Sequence, residues 1–210
     1  MRFGGFQPFT LSDYPGRTAA IAFTQGCNFR CPFCHNGALL PMLVPEENLV
    51  PESVVLDHLR WRQGKLDGLV VTGGEPTLQP ALPTFLHKVK NMGFLVKLDT
   101  NGSNPAILKA LLDKGLVDFV AMDIKAPSHK YALLTGLSSA PLEAIEESIT
   151  IILRSRVEHQ FRTTHVSALL SATDLQSIAN ALPCGSTHVV QPFRPEHALV
   201  ASLRDAAESA

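Results

Sequence analysis

The chain has 210 residues, 45% hydrophobic and 18% charged, enough apolar material for one domain with a substantial core, and its net charge of −1 argues against a generally basic nucleic-acid-binding surface. No apolar run approaches the roughly 18 residues that cross a bilayer, so membrane anchoring is unsupported. Four cysteines, three of them clustered, do not read as a disulfide framework, and without a basic-then-apolar leader the expected location is cytoplasmic.

Residues 1–17 mix Phe3, Phe6 and Phe9 with glycine, proline and Asp13, which predicts a short hairpin or irregular cover leading into the first core strand. From Thr18 onward, short runs rich in valine, isoleucine and phenylalanine alternate with longer helical patterns. Strands are predicted over 19–24, 68–72, 95–99, 119–123, 160–165 and 188–191. Helices are predicted over 51–63, 80–91, 105–114, 141–154, 174–181 and from 196 to the end. Pro105 and Asp174 read as helix starts, Gly93 and Gly115 as stops. This alternation is that of repeated βα units, an α/β fold with a mainly parallel sheet. One domain is expected over 1–210: a cover segment (1–17), the βα units (18–195) and a carboxy-terminal helix (196–210).

In parallel α/β sheets chemistry collects at the carboxyl ends of strands. The first predicted strand runs into Cys27-Asn28-Phe29-Arg30-Cys31-Pro32-Phe33-Cys34-His35. Three thiolates on one short loop suit a soft metal centre, either an iron–sulfur cluster with one iron free of protein ligand or a structural zinc completed by His35. The second strand ends in Thr72-Gly73-Gly74-Glu75-Pro76. Two glycines permit close backbone approach there, and the carboxylate of Glu75 suits an ammonium group, although the same residues also make an ordinary turn. Thr100 and Asn101 follow the third strand, with groups suited to a ribose or to a turn. Asp123 and Lys125 lie two apart on the fourth, able to face one ligand or simply each other. Arg162 and His165 on the fifth could touch a carboxylate or fill a polar mouth. Cys184, between proline and glycine, reads as a loop or packing residue.

The pattern Cys27-x-x-x-Cys31-x-Phe33-Cys34 resembles the cluster loop of the radical S-adenosylmethionine (SAM) enzymes. With Gly5 through Gly16, Phe23-Thr24-Gln25-Gly26 and Cys34-His35-Asn36 at its flanks, it is similar to the activating enzymes of glycyl-radical proteins, and within those to the activating proteins of anaerobic ribonucleoside-triphosphate reductase. The resemblance implies a partial (β/α)6 barrel in which Cys27, Cys31 and Cys34 hold a [4Fe–4S] cluster beside Phe33 and His35. SAM would chelate the remaining iron. Gly73, Gly74 and Glu75 would meet its amino group, Thr100 and Asn101 its ribose, and Asp123, Lys125 and Arg162 its zwitterionic end. Some activases place a histidine after the last strand; this chain has Arg194 near there, with His197 a weaker substitute, so that role is not carried over.

The implied reaction is reductive cleavage of SAM to methionine and a 5′-deoxyadenosyl radical, which takes hydrogen from a glycine of the partner. A flavodoxin- or ferredoxin-type protein would supply the electron, and neither nucleic acid nor membrane is an expected partner. Two alternatives stand beside this reading: a radical SAM enzyme with a small-molecule substrate, and a zinc-stabilised binding module without catalysis.

Overall fold

A computed structural model of the chain describes residues 1–205. Its strands are β1 (Phe3–Thr10), β2 (Ala19–Thr24), β3 (Gly68–Gly73), β4 (Leu95–Thr100), β5 (Phe119–Asp123), β6 (Glu158–His165) and β7 (His188–Pro192). They form one seven-stranded sheet in sequence order. β1 runs antiparallel to β2, and every other neighbouring pair is parallel. The two edge strands, β1 and β7, do not pair, so the barrel stays open. The helices are α1 (Glu52–Trp61), α2 (Leu82–Asn91), α3 (Pro105–Asp113), α4 (Tyr131–Thr135), α5 (Leu142–Ser155), α6 (Ala172–Ala181) and α7 (Ala201–Asp205).

Strands covered on both faces read as nearly continuous apolar runs, and β2, β3 and β5 do so because each face has its own apolar partner. Ala20, Leu69, Val71, Leu98 and Val120 pack outward with Leu59, Phe85, Leu86 and Leu111 from the helices. Tyr14, Ile21, Val70, Phe119 and Ala121 form a second buried cluster on the other face, where the Tyr14 and Phe119 rings meet edge-on at 5.8 Å. Side chains alternate along a strand, so positions beyond Val70 and Ala121 on that inner face are Thr72 and Asp123. The concave face is therefore apolar toward the amino ends of the strands and polar toward their carboxyl ends.

Of the two forms expected for the amino-terminal segment the structure has the hairpin, β1 pairing antiparallel with β2 as a full edge strand, with Phe3 buried against Phe85 and Phe9 exposed. Two expectations need correction. α6 starts at Ala172 instead of Asp174: Ser171 caps it, its Oγ accepting from Asp174 N while Asp174 accepts from Ser171 N, so Asp174 occupies the third helical position of a capping box. The carboxy-terminal segment is not helical from Glu196. It makes a 3₁₀ turn at Pro195–His197, extends through Ala198 where Val200 N donates to Pro32 O (3.0 Å), and becomes helical only at Ala201; residues 206–210 of that expected helix lie outside the described residues.

Candidate active site

The loop after β2 is held by backbone groups from three sides. Gly26 N donates to Leu39 O (2.7 Å), Cys27 N to Leu40 O (3.2 Å), and Arg30 N to Thr135 O at the end of α4 (2.7 Å). The Arg30 guanidinium folds back onto the carbonyls of Cys27 (2.6 Å) and Phe29 (2.8 Å). Phe29 and Phe33 are buried, and Cys27, Cys31 and Cys34 all face one cavity of about 340 Å³ on the concave side of the sheet. None of the three thiols is in a disulfide. Burial pushes the Cys31 thiol up to about 12, against the attraction of Lys125, and raises Cys27 likewise. Thiols this poorly solvated ionise when a metal takes the thiolate, since coordination removes the proton outright.

The two metal readings differ at the fourth ligand: a closed zinc site needs His35 beside the three cysteines, whereas a cubane cluster gives each cysteine its own iron and leaves one iron free of protein ligand. His35 lines the cavity but is committed elsewhere. Its Nε2 accepts from Arg194 N (3.3 Å), its ring stacks on Phe193 at 5.5 Å, and burial lowers its pKa, keeping the ring a neutral acceptor.

The turn after β3 is locked to the cysteine loop. Gly74 N donates to Thr24 O (2.9 Å) and Glu75 N to Gly26 O (2.8 Å). A Cβ on Gly74 would stand 2.1 Å from Gly26 O, so only glycine fits. Gly73 and Gly74 present their backbone to the cavity, whereas the Glu75 carboxylate turns into the protein. It accepts from Thr77 N (3.1 Å), Thr77 Oγ1 (2.6 Å), Thr100 Oγ1 (2.8 Å) and Asn101 N (2.7 Å), tying the carboxyl ends of β3 and β4 together. Asn101 reaches back to the cysteine loop through Asn28 Oδ1 (2.9 Å), and both Thr100 and Asn101 line the cavity.

Opposite the cysteines lies a chain of alternating charges. Lys125 Nζ donates to Asp123 Oδ2 (2.9 Å), Arg162 Nε to Asp123 Oδ1 (2.9 Å), Arg162 to Asp99 Oδ2 (3.1 Å), and buried Lys97 to the other oxygen of Asp99. Burial works against the charges of Asp123, Lys125 and Arg162, but the two cations hold Asp123 well below the usual carboxylate range, and the carboxylates hold Lys125 and Arg162 protonated. At the cavity wall Lys125 and Arg162 stand against Asp123 and Asp99, with Lys97 buried beneath them. The structure thus brings together Cys27, Cys31, Phe33, Cys34, His35, Gly73, Gly74, Thr100, Asn101, Asp123, Lys125 and Arg162 as cavity residues, and sets Glu75 behind them. Asp99, Thr72, Thr164 and Gln191, which also line it, and Lys97 beneath it stand at strand ends in the sequence but were given no site role there. The two-residue spacing of Lys97 and Asp99 repeats that of Asp123 and Lys125 and was the signal available. His165 is held by Leu170 O (3.3 Å) and Cys184 is exposed; neither faces the cavity.

Residues 21–179 match the family model described as the Radical SAM superfamily. The chain belongs to the radical SAM superfamily. Members of this family use a [4Fe–4S] cluster and S-adenosylmethionine, and the protein is accordingly a radical SAM enzyme. A protein of Methanocaldococcus jannaschii, provisionally named a glycyl-radical enzyme activating enzyme, is 32% identical over 92% of this chain and 80% of its own length. The pyruvate formate-lyase-activating enzyme of Staphylococcus aureus is 33% identical over 59% of this chain, which spans 53% of that enzyme. Among solved structures, Streptococcus suis SuiB bound to its precursor peptide SuiA superposes with a TM-score of 0.65 at 12% identity, covering 90% of this chain and 44% of SuiB, a likeness of fold alone. No helix of the described residues is long and apolar enough to cross a membrane.

Proposed function

We propose that this radical SAM chain is an activating enzyme that places a glycyl radical on a partner enzyme, the anaerobic ribonucleoside-triphosphate reductase, with the electron supplied by a flavodoxin- or ferredoxin-type protein. The observation that carries the reading is the open side of the barrel. The cavity is walled at one margin by exposed Asp13, just after edge strand β1, and at the other by Gln191 of edge strand β7, so a protein segment has lateral access to the cysteine loop. The name of the M. jannaschii relative supports the same class of substrate.

In this reading Cys27, Cys31 and Cys34 hold the cluster, which with SAM supplies one-electron cleavage of a carbon–sulfur bond and, from it, hydrogen abstraction. The backbone of Gly73 and Gly74 receives the methionyl amino group, while Glu75 fixes that turn. Lys125 and Arg162 would offer their remaining donors to the methionyl carboxylate, and Asp123 holds both in place. Thr100 and Asn101 take the ribose, and Phe33 with Phe29 keeps water from the loop. The net change consumes one electron and one SAM and moves a hydrogen atom from the glycine Cα to the 5′ carbon. Methionine, 5′-deoxyadenosine and the glycyl radical remain.

Anaerobic incubation of the reconstituted protein with SAM, a reductant and the reductase should give a glycyl-radical signal by electron paramagnetic resonance. Cys27→Ala should abolish both this signal and SAM cleavage while leaving the far-ultraviolet circular dichroism of the barrel intact. SAM-dependent turnover of a metabolite, with no radical on the reductase, would overturn the reading.

A further inference from the structure

Away from the cavity, the end of α1 and the end of β1 build an exposed aromatic and cationic patch. Trp61 is 66% exposed, Phe9 43% and Leu11 70%. The Arg62 guanidinium lies 5.4 Å from the Trp61 ring and 6.0 Å from that of Phe9, and Lys65 Nζ lies 5.6 Å from Trp61. His58 packs between Phe6 and Trp61, at 5.2 and 5.9 Å. Among the described residues neither Arg62 nor Lys65 makes an ion pair, and Arg62 Nε is buried without a hydrogen-bond partner. The nearby carboxylates are engaged, Asp57 with Arg60 and Asp67 with Thr18. Aromatic faces beside unpaired cations form the composition of interaction hot spots, and their charge asks for a carboxylate-bearing counterpart. A net charge of −1 over the chain makes so local a surplus unfit for a polyanion such as nucleic acid.

The patch continues along the chain into the cavity margin, since Phe9 and Leu11 lead directly to Asp13. It also sits far from the cysteines along the strand direction: α1 ends just before the amino end of β3, and the cysteine loop follows the carboxyl end of β2. An electron donor must approach the cysteine end, whereas a protein whose loop enters past Asp13 can rest its body here. We infer that Phe9, Trp61, Arg62 and Lys65 form the docking surface for an acidic face of the protein substrate, an inference that rests on the activase reading and names where that partner binds.

Trp61 is the single tryptophan of the chain, so 5-fluorotryptophan labelling gives one fluorine resonance that reports this patch. Adding unlabelled reductase should broaden or shift that resonance, and added salt should reverse the change. Arg62→Glu/Lys65→Glu should raise the KM for reductase in glycyl-radical formation by about tenfold or more, with partner-free, dithionite-driven SAM cleavage unchanged. An unmoved resonance with an unchanged KM overturns the docking surface alone, provided the wild type forms the radical. A wild type that forms no radical on the reductase overturns the activase reading, and the named partner with it. Loss of flavodoxin-driven cleavage with dithionite-driven radical transfer intact would assign the patch to the electron donor and overturn the inference.

Discussion

Glu75 was legible in the sequence as a carboxylate at a strand end, but its orientation was not, because that depends on Thr77, Thr100 and Asn101 meeting around it. Four donors favour the carboxylate, yet complete burial with no cation alongside outweighs them, and its pKa is raised. A carboxyl group whose folded pKa lies above its unfolded value contributes stability fully below the unfolded value, about 4.3, and loses it as pH rises through the folded value. The thermal stability of wild type relative to Glu75→Gln should therefore be greatest in acid and shrink with rising pH. In acid the substitution should cost about 1–3 kcal/mol, since the amide nitrogen of Gln would face the backbone N–H of Asn101 or Thr77, donor against donor. A difference that grows with pH in anaerobic melts would show that the four hydrogen bonds outweigh burial. Asp99 and Lys97 illustrate the other limit of reading residues singly: each is an ordinary strand residue until β4 is set beside β5 and Arg162 spans them.

At the scale of elements, the parallel strands were readable to within two residues, and β2 and β5 to their ends, because apolar runs bounded by glycine or proline have few other uses in an α/β chain. α4 was not. It is five residues long without a side-chain cap, too short to carry a period, and its position is settled by tertiary contact with the cysteine loop. That contact makes α4 more than a connector. Gly136, which ends it at φ 69°, has room for no Cβ: one would lie 2.6 Å from Arg30 O. Gly136→Ala should cost about 1–2 kcal/mol for the left-handed backbone alone. It should also lower iron per chain after reconstitution by displacing Arg30. Full iron content with an unchanged Tm would mean that α4 does not hold the loop.

For the whole molecule, one continuous sheet with an apolar layer on each face predicts that its parts unfold together. Circular dichroism of the backbone and fluorescence of Trp61 should report the same thermal midpoint, and two separated transitions would divide the chain into independent units. The six βα repeats were readable from sequence and the family resemblance implied the open, partial barrel; that β1 adds a seventh, antiparallel strand at its edge was not, since pairing over so irregular a register is settled only in the assembled sheet. One long-range feature carries a consequence in time. The bond from Arg194 N to His35 spans 159 positions, and Val200 closes on Pro32 over a similar reach. On a chain made from its amino terminus, the cysteines emerge from the ribosome long before residues 193–200 exist to lie beside them. The cysteine loop is thus made first and its cover last, which leaves an interval in synthesis when iron and sulfide for the proposed cluster would reach the thiols from a side that the finished protein closes.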